Sequence, residues 1–261
     1  MRFSRQEILE QCKPAVEEAG EVVQREWSHS KNVGYKGRAD LVTETDLAVE
    51  KELVSRLSSI LPEAGLLAEE TSGESHLQET TWIVDPLDGT TNFVQGLPLV
   101  AISVALWAEG NVQLGLVYIP RLGEMFTALR GKGAHLNGEE IHVSPVLSLR
   151  DSLIATGFPY DIEPRVEGEL TRLKKVLLNC RGARRMGSAA IDLAYTACGR
   201  FEAYYEVGLK PWDTAAGWLL VEEAGGMVTT FDPQGPFYPQ APSILASNGG
   251  VHDQISQLLL I

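Results

Sequence analysis

Carboxylic acids lie where predicted strands end, and their spacing could bind divalent cations. Glu69 follows one apolar run, whereas Asp85 and Asp88 follow another across a turn that contains Pro86. Ligands of α/β sheets usually bind beyond the carboxyl ends of strands, so these acids are expected to share one crevice. Mg²⁺ prefers oxygen ligands and keeps several waters, so a few carboxylates and a substrate phosphate suffice. Two such ions, about 4 Å apart, can hold the attacking and leaving oxygens of a phosphoryl displacement.

The residues after this acidic turn, Gly89 and Thr90, could receive a phosphate group. Glycine permits close approach of the backbone, and a short helix that begins here would direct its N–H groups at an anion. Taken singly, each acid also has an ordinary explanation. Asp88 and Gly89 suit a plain turn, and Asp213 suits the cap of a predicted helix. The spacing therefore indicates a metal site without establishing one.

Composition and charge are typical of one globular chain. The 261 residues, 44% of them hydrophobic, suit a single domain with a soft boundary near residue 150, between a metal and phosphate lobe (1–150) and a substrate lobe (151–261). A net charge of −13 disfavours non-specific binding to nucleic acid and to anionic membranes. No apolar run is long enough to span a bilayer. The N-terminal residues lack a secretory signal, and the three cysteines lack metal-type spacing, so a cytoplasmic protein with free thiols is expected.

Hydrophobic periodicity predicts a mixed α/β fold, with two helices on a largely antiparallel sheet followed by alternating strands and helices. The predicted helices are 4–28, 43–61, 166–178, 189–197, 214–224 and 252–260. The predicted strands are 65–68, 81–84, 100–107, 112–119, 125–129, 152–156, 201–207, 227–231 and 244–246. The spacing of Thr43 and Asp46 predicts a capping box at the second helix, and the turn at 109–111 predicts a hairpin.

Four blocks of the sequence resemble the inositol monophosphatase family. The most specific is WIVDPLDGTTNF at 82–93, which resembles the signature of the family. The others are DLVTETD at 40–46, GSAA at 187–190 and PWDTAAG at 211–217. The resemblance covers nearly the whole chain. It implies an αβαβα layered sandwich of the sugar-phosphatase type, a homodimer, two or three Mg²⁺ ions and sensitivity to lithium.

The same resemblance implies roles for individual residues. The metal ligands would be Glu69, Asp85, the Leu87 carbonyl, Asp88 and Asp213. The groups that orient and activate the attacking water would be Thr90, Asp46 and Glu69. The substrate contacts would be the Gly89 and Thr90 amides, Gly187, Ser188, Ala189, Glu206 and Asp213, with Arg184 beside them. The loop around Lys36 is one residue shorter than in animal members, so no substrate contact is assigned to Lys36.

The expected reaction is Mg²⁺-dependent hydrolysis of a phosphate monoester, above all of myo-inositol 1-phosphate, by metal-activated water. Related activities on fructose 1,6-bisphosphate, histidinol phosphate or 3′-phosphoadenosine 5′-phosphate can use the same metal core. The run Thr91-Asn92-Phe93 favours the inositol branch over the nucleotide branch, and Glu206 suits a polyol. A different class stays open, because some bacterial relatives are partners of the transcription machinery. The only hint of it here is the pair Arg184-Arg185, and the acidic net charge makes direct nucleic-acid binding unexpected.

Overall fold

The computed structural model describes residues 4–29, 33–35, 41–71, 77–234 and 237–260, so Lys36 and Asp40 lie outside the described residues. The helices are α1 (Arg5–Glu26), α2 (Glu44–Ile60), α3 (Thr90–Gln95), α4 (Val166–Leu177), α5 (Ala189–Ala197), α6 (Pro211–Glu223) and α7 (His252–Leu259). The strands are β1 (Val33–Tyr35), β2 (Leu41–Thr43), β3 (Gly65–Ala68), β4 (Thr80–Asp88), β5 (Ala101–Ala108), β6 (Asn111–Ile119), β7 (Glu124–Leu129), β8 (Ala134–Leu136), β9 (Glu139–Ile141), β10 (Leu153–Thr156), β11 (Gly182–Arg184), β12 (Ala203–Val207), β13 (Met227–Thr229) and β14 (Ser243–Ser247). In the described part of the chain, no helix is both long and hydrophobic enough to cross a membrane.

Capping boxes fix the starts of the first two long helices. At α1, the Ser4 hydroxyl accepts from the Glu7 amide, and the Glu7 carboxylate accepts from the Ser4 amide. At α2, Thr43 and Asp46 make the same reciprocal bonds, as their spacing predicts. These bonds satisfy N–H groups that a helix terminus otherwise leaves without partners. The capping box therefore fixes both the start of α2 and the position of the Asp46 carboxylate.

The larger sheet contains seven strands in the order β3-β4-β5-β6-β7-β8-β9. β3 runs parallel to β4, and the other neighbouring pairs are antiparallel. The predicted hairpin joins β5 to β6 through Glu109 and Gly110, whose φ angles of 56° and 74° suit a tight hairpin turn. β4 extends beyond its predicted end at Val84, with a shift of register between Asp85 and Asp88. Such irregular pairing re-aims side chains, and here it lies at the two acids.

The smaller sheet contains five strands in the order β11-β10-β12-β14-β13. β10 is parallel to both of its neighbours, whereas β14 is antiparallel to β12 and β13. β11 was absent from the predicted strands because its three residues carry too little apolar sequence to produce a periodic pattern. α6 begins at Pro211, before the predicted start at Thr214, because proline is well suited to the first turn of a helix. Asp213 consequently lies inside the first turn of α6.

Side chains alternate between the faces of the larger sheet and so separate distinct cores. Trp82 and Val84 pack with α1 and α2, whereas Ile83 packs on the other face with α5, α6 and the smaller sheet. The far face of the smaller sheet packs against α4 and α7 through residues such as Val176 and Ile255. The layers are thus α1 with α2, the larger sheet, α5 with α6, the smaller sheet, and α4 with α7. This order confirms the αβαβα architecture.

The buried His252 at the start of α7 predicts a loss of stability in mild acid. Its Nδ1 lies 2.8 Å from the Ser247 hydroxyl and its Nε2 lies 2.9 Å from the Thr229 hydroxyl. Burial lowers the pKa of His252, an effect that the neighbouring Asp253 charge opposes. Because the unfolded chain binds this proton more tightly, the stabilisation is complete above about pH 6.5 and is lost as the pH falls further.

Urea unfolding at pH 7.5 and pH 5.5 measures this loss. We expect the free energy of unfolding to fall more steeply with acidification in the wild type than in His252→Gln, which lacks the titrating ring. Carboxyl groups and the other histidines titrate in both proteins, so only the difference between the two slopes reports on His252. Equal slopes would contradict the assignment.

Candidate active site

Four carboxylates from three elements lie together at one end of the larger sheet. Glu69 follows β3, and its amide donates to the Val84 carbonyl at 3.2 Å. This bond extends the pairing of β3 with β4 by one residue. Asp85 and Asp88 belong to β4, and Asp213 belongs to the first turn of α6. Glu69, Asp88 and Asp213 line one pocket. Asp85 is buried, and its charge interacts with the charges of the other three.

Burial and mutual repulsion raise the pKa of the three aspartates in this group. Burial, followed by the charges of Glu69, Asp88 and Asp213, raises the pKa of Asp85 well above its ordinary value. Burial and the charges of Asp88 and Glu69 do the same to the pKa of Asp213. Burial also raises the pKa of Asp88 to about 6, although bonds from Ser188 and Ala190 oppose the shift. A concentration of hard, negatively charged oxygens in a partly enclosed site is the environment that a small divalent cation neutralises.

These acids suit Mg²⁺ if waters and a substrate phosphate supply the other ligands of the ion. Within the described ranges, no three His, Cys, Asp or Glu side chains are placed so that they could hold a metal ion by themselves. Mg²⁺ sites commonly take only one or two carboxylates and complete the octahedron with waters and substrate phosphates. The donor chemistry is therefore suitable, and the phosphate of a substrate would belong to the same coordination shell.

Hydrogen bonds orient one oxygen of each aspartate. Asp88 Oδ2 accepts from the Ser188 hydroxyl and from the Ala190 amide, both at 2.7 Å. Asp85 Oδ1 accepts from the Leu87 amide at 2.9 Å. Asp213 Oδ2 accepts from the Lys210 amide at 2.6 Å. In each residue the other oxygen takes no part in these bonds, so every carboxylate is held while keeping a potential ligand atom.

Thr90 and Asp46 form a hydrogen-bonded pair next to the acids. The Thr90 hydroxyl donates to Asp46 Oδ1 at 2.8 Å, and it also lies 3.2 Å from the Leu87 carbonyl oxygen. Asp46 Oδ2 is occupied by the Thr43 cap. Burial raises the pKa of Asp46, and the bonds from Thr43 and Thr90 oppose this shift. One turn further along α2, the Glu50 carboxylate accepts from the Glu70 amide at 2.8 Å. Helix α2 therefore holds both the Thr90–Asp46 pair and the segment that follows β3.

The backbone at Gly89 has a conformation that only glycine adopts readily. Its φ is 94°, and a Cβ there would lie 3.0 Å from the Leu99 carbonyl and 3.2 Å from the Gly187 carbonyl. Asn92 fastens the same region, because its Nδ2 donates to the Leu99 carbonyl at 2.7 Å and to the Met186 carbonyl at 2.8 Å. In the sequence, the only signal of Asn92 was its place in the block at 82–93, where it marked the inositol branch.

A pocket of about 220 Å³ opens beside the acids and contains most of the predicted substrate residues. Gly187, Ser188, Ala189 and Glu206 line it. Of the described residues, Arg185 rather than Arg184 lines this pocket; Arg184 is exposed on β11 and donates to the Ala183 carbonyl at 3.0 Å. Arg184 is the last residue of β11, whereas Arg185 follows the strand and lines the pocket.

Two further acids of this pocket, Glu206 and Asp192, are buried. The Tyr204 hydroxyl donates to Glu206 Oε2 at 2.5 Å. Burial raises the pKa of Glu206 to about 7, with the Tyr204 bond and the Arg185 charge opposing and the Asp88 charge reinforcing the shift. Asp192 lies one helical turn after Ser188 on α5, and sequence analysis missed it. The spacing to Ser188 was its only signal.

Comparison with known proteins identifies relatives along the whole chain. The inositol monophosphatase family model matches residues 4–260. An inositol monophosphatase of Dictyostelium discoideum is 39% identical over 97% of this chain and 95% of its own length. Nus factor SuhB of Vibrio cholerae is 44% identical over 82% of this chain and 80% of its own length.

Solved structures share the fold. The extragenic suppressor protein suhB from Bartonella henselae is 38% identical, with a TM-score of 0.89 over 95% of this chain and 96% of that chain. Staphylococcal inositol monophosphatase-1, in an inhibitory complex soaked with LiCl, is 27% identical, with a TM-score of 0.88 over 99% of this chain and 96% of that chain. With a family match over nearly the whole chain and the same layered fold, this chain belongs to the inositol monophosphatase family and is a phosphatase of that family.

Proposed function

We propose that this phosphatase hydrolyses myo-inositol 1-phosphate, or a closely similar polyol monophosphate, to the free polyol and inorganic phosphate with Mg²⁺ as cofactor. The observation that supports it most directly is the arrangement of one pocket. Acids able to bind a cation, Glu69, Asp88 and Asp213, line it together with Glu206, a carboxyl group suited to sugar hydroxyls. Reactive phosphate and polyol would thus occupy one continuous space.

Two or three Mg²⁺ ions would be held by the acids of this pocket. We assign one ion to Glu69, Asp85 and the Leu87 carbonyl, and a second ion to Asp85, Asp88 and Asp213, with Glu69 near any third. The three carboxylates of the second ion would have to draw closer together than the described residues place them. Bound Mg²⁺ supplies charge neutralisation on the phosphoryl oxygens and lowers the pKa of water toward neutrality. Sensitivity to lithium is part of the proposal, and the LiCl inhibitory complex of the staphylococcal relative supports it.

The chain's own groups would position the water and the phosphate. The Thr90 hydroxyl can accept a proton from the attacking water while it passes its own proton to Asp46 Oδ1, along a hydrogen bond of 2.8 Å. The amides of Gly89 and Thr90 lie at the start of α3 and would donate to phosphate oxygens. Most of the acceleration would come from this positioning and from charge stabilisation, since no covalent intermediate is needed.

The leaving polyol would lie against Gly187, Ser188, Ala189 and Glu206, with Asp213 at the metal side. Because Tyr204 donates to Glu206 Oε2, that carboxyl group is held with its other oxygen available for a hydroxyl. Arg185 takes the place beside the pocket that was assigned to Arg184, because it is the arginine of the pair that lines the pocket.

Phosphate release from a panel of substrates tests this proposal. The panel is inositol 1-phosphate, fructose 1,6-bisphosphate, histidinol phosphate and 3′-phosphoadenosine 5′-phosphate, each with Mg²⁺. We expect inositol 1-phosphate to have the highest kcat/KM, by about tenfold or more, since a site built to bind hydroxyl groups discriminates against analogues that lack them. If another member of the panel has the highest kcat/KM, that compound replaces inositol 1-phosphate as the proposed substrate. Failure on every member would contradict the phosphatase assignment to this class of ester.

A second candidate function is a partner role in transcription, because Nus factor SuhB of Vibrio cholerae is 44% identical to this chain. We propose that any such role uses a protein partner rather than direct nucleic-acid binding, since the net charge is −13. A pull-down with the tagged chain separates the outcomes. Stable recovery of RNA polymerase components would support the second function, and recovery of the untagged chain alone would support only the proposed homodimer.

We also propose a location in the cytoplasm, where thiols stay reduced, because the three cysteines are free thiols.

Gly157→Ala should weaken substrate binding while leaving the metal residues untouched. A Cβ at Gly157 would overlap Glu206 Oε2, so the carboxyl group would have to leave its bond with Tyr204. We expect KM for inositol 1-phosphate to rise by about tenfold or more, because small misplacements of a positioning group have large kinetic effects. Gly182→Ala is the matched control, since a Cβ there meets its nearest neighbour at an ordinary 3.5 Å. Equal KM values for the two variants would contradict the role of Glu206.

A further inference from the structure

Asp192 is a buried acid in the pocket, and one oxygen of its carboxyl group has no hydrogen-bond partner among the described residues. It is 1% exposed, yet it lines the same pocket as Glu206. Among the described residues, Asp192 Oδ1 has no hydrogen-bond partner. A buried polar atom without a partner is rare in native proteins, because it loses its bonds to water and gains none in return. Such an atom therefore points to a missing ligand.

The usual structural roles of an acid near a helix start do not account for Asp192. α5 begins at Ala189, and its cap is Ser188, whose hydroxyl accepts from the Ile191 amide at 3.3 Å. The electrostatic surroundings of Asp192 are also unfavourable. After burial, the charges of Glu206 and Asp88 raise its pKa well above the ordinary value, and Arg185 alone opposes them among the groups that shift it. The fold thus tolerates Asp192 rather than gaining stability from it, as is common for groups kept for function.

We propose that Asp192 is a specificity residue that forms, with Glu206, a two-acid floor accepting hydrogen bonds from hydroxyl groups of the leaving polyol. The proposal rests on the proposed function, because it takes the same pocket as the leaving-group site. A hydroxyl donor would supply the partner that Asp192 Oδ1 lacks. Two acids rather than one would favour leaving groups with several hydroxyl groups over apolar ones.

The distinguishing experiment compares inositol 1-phosphate with phenyl phosphate, whose leaving group has no further hydroxyl. Asp192→Leu keeps a similar shape but removes both acceptor atoms. We expect KM for inositol 1-phosphate to rise about tenfold, as for loss of one hydrogen bond, while KM for phenyl phosphate stays within about twofold. Asp192→Asn keeps one acceptor oxygen and should change the ratio of the two KM values by about threefold.

Thermal unfolding of the metal-free protein gives a second readout that does not depend on turnover. Asp192→Leu should have a higher Tm than the wild type, because it removes a buried carboxyl group whose Oδ1 has no hydrogen-bond partner among the described residues. Free myo-inositol should raise the Tm of the wild type by mass action and should raise that of Asp192→Leu less. A merely structural acid would show the opposite pattern, with a lower Tm and an unchanged response to inositol.

The outcomes separate the two proposals. An unchanged KM ratio in both variants, with the same inositol response as the wild type, would overturn the role of Asp192 and leave the phosphatase proposal intact. If the wild type hydrolyses neither ester, the proposed function fails, and the inositol-dependent Tm shift still decides the role of Asp192. If Asp192→Leu does not fold, the threefold change in Asp192→Asn decides it.

Discussion

Asp88→Asn should lower kcat on inositol 1-phosphate by about 10²- to 10³-fold, the scale seen when a preorganised electrostatic group is removed from an active site. The amide oxygen of Asn can still accept from the Ser188 hydroxyl and the Ala190 amide, so the local packing should persist. What disappears is one negative charge of the proposed cation site. Steady-state kinetics over a range of Mg²⁺ concentrations measures the loss.

Stability provides the internal check on Asp88→Asn. The acids of the site raise one another's pKa when no cation is bound, so removing one of them should raise the Tm of the metal-free protein. Asp151→Asn is the matched control, because the Asp151 side chain is 61% exposed and pairs with Arg181 at the surface. A kcat within tenfold of the wild type in Asp88→Asn would contradict the proposed cation site. A fall in Tm would indicate a structural defect instead.

Thr90→Val should lower kcat by about 10²- to 10³-fold and change KM little, because general acid–base groups contribute on this scale. Valine is close to threonine in shape but lacks the hydroxyl that donates to Asp46 Oδ1 at 2.8 Å. The proton path from the attacking water to Asp46 would be lost, whereas the amides that receive the phosphate would remain. Pre-steady-state and steady-state rates with inositol 1-phosphate measure the effect.

Thr90→Ser is the matched control for Thr90→Val, since it keeps the hydroxyl and removes only a methyl group. We expect it to retain most of the wild-type kcat. If both variants lose activity to the same extent, the methyl packing of Thr90 matters and the hydroxyl path is wrong. If Thr90→Val keeps its kcat but loses affinity, the hydroxyl serves binding rather than proton transfer.

The sequence was most informative where function and local structure use the same residues. The capping box of Thr43 and Asp46 is a local pattern, so both the start of α2 and the position of the Asp46 carboxylate could be predicted. The acids of β4 followed an apolar run, and their approach to the Glu69 strand end follows from the parallel pairing of β3 with β4.

Contacts between distant segments were not predictable from periodicity. Asn92 bonds to the Met186 carbonyl, and Asp88 to Ser188, across stretches of about a hundred residues. The face of the Arg184-Arg185 pair depends on β11, a strand too short to leave a pattern. The spacing of Asp192 from Ser188 is too weak to mark it as a site candidate, and the stronger observation, an oxygen without a hydrogen-bond partner among the described residues, exists only in three dimensions. The strand-end acids and Glu206 were thus predicted, whereas Asp192 and the choice of Arg185 over Arg184 were not.

Titration of Mg²⁺ into chelator-treated protein, with phosphate release from inositol 1-phosphate as the readout, tests the central claim most directly. The account predicts no release without the cation and a return of full activity as Mg²⁺ is added, with inhibition when LiCl is included. Release that is unaffected by the chelator would contradict the assignment of the Glu69, Asp85, Asp88 and Asp213 group as a catalytic cation site. Absence of release at every Mg²⁺ concentration would contradict the proposed substrate.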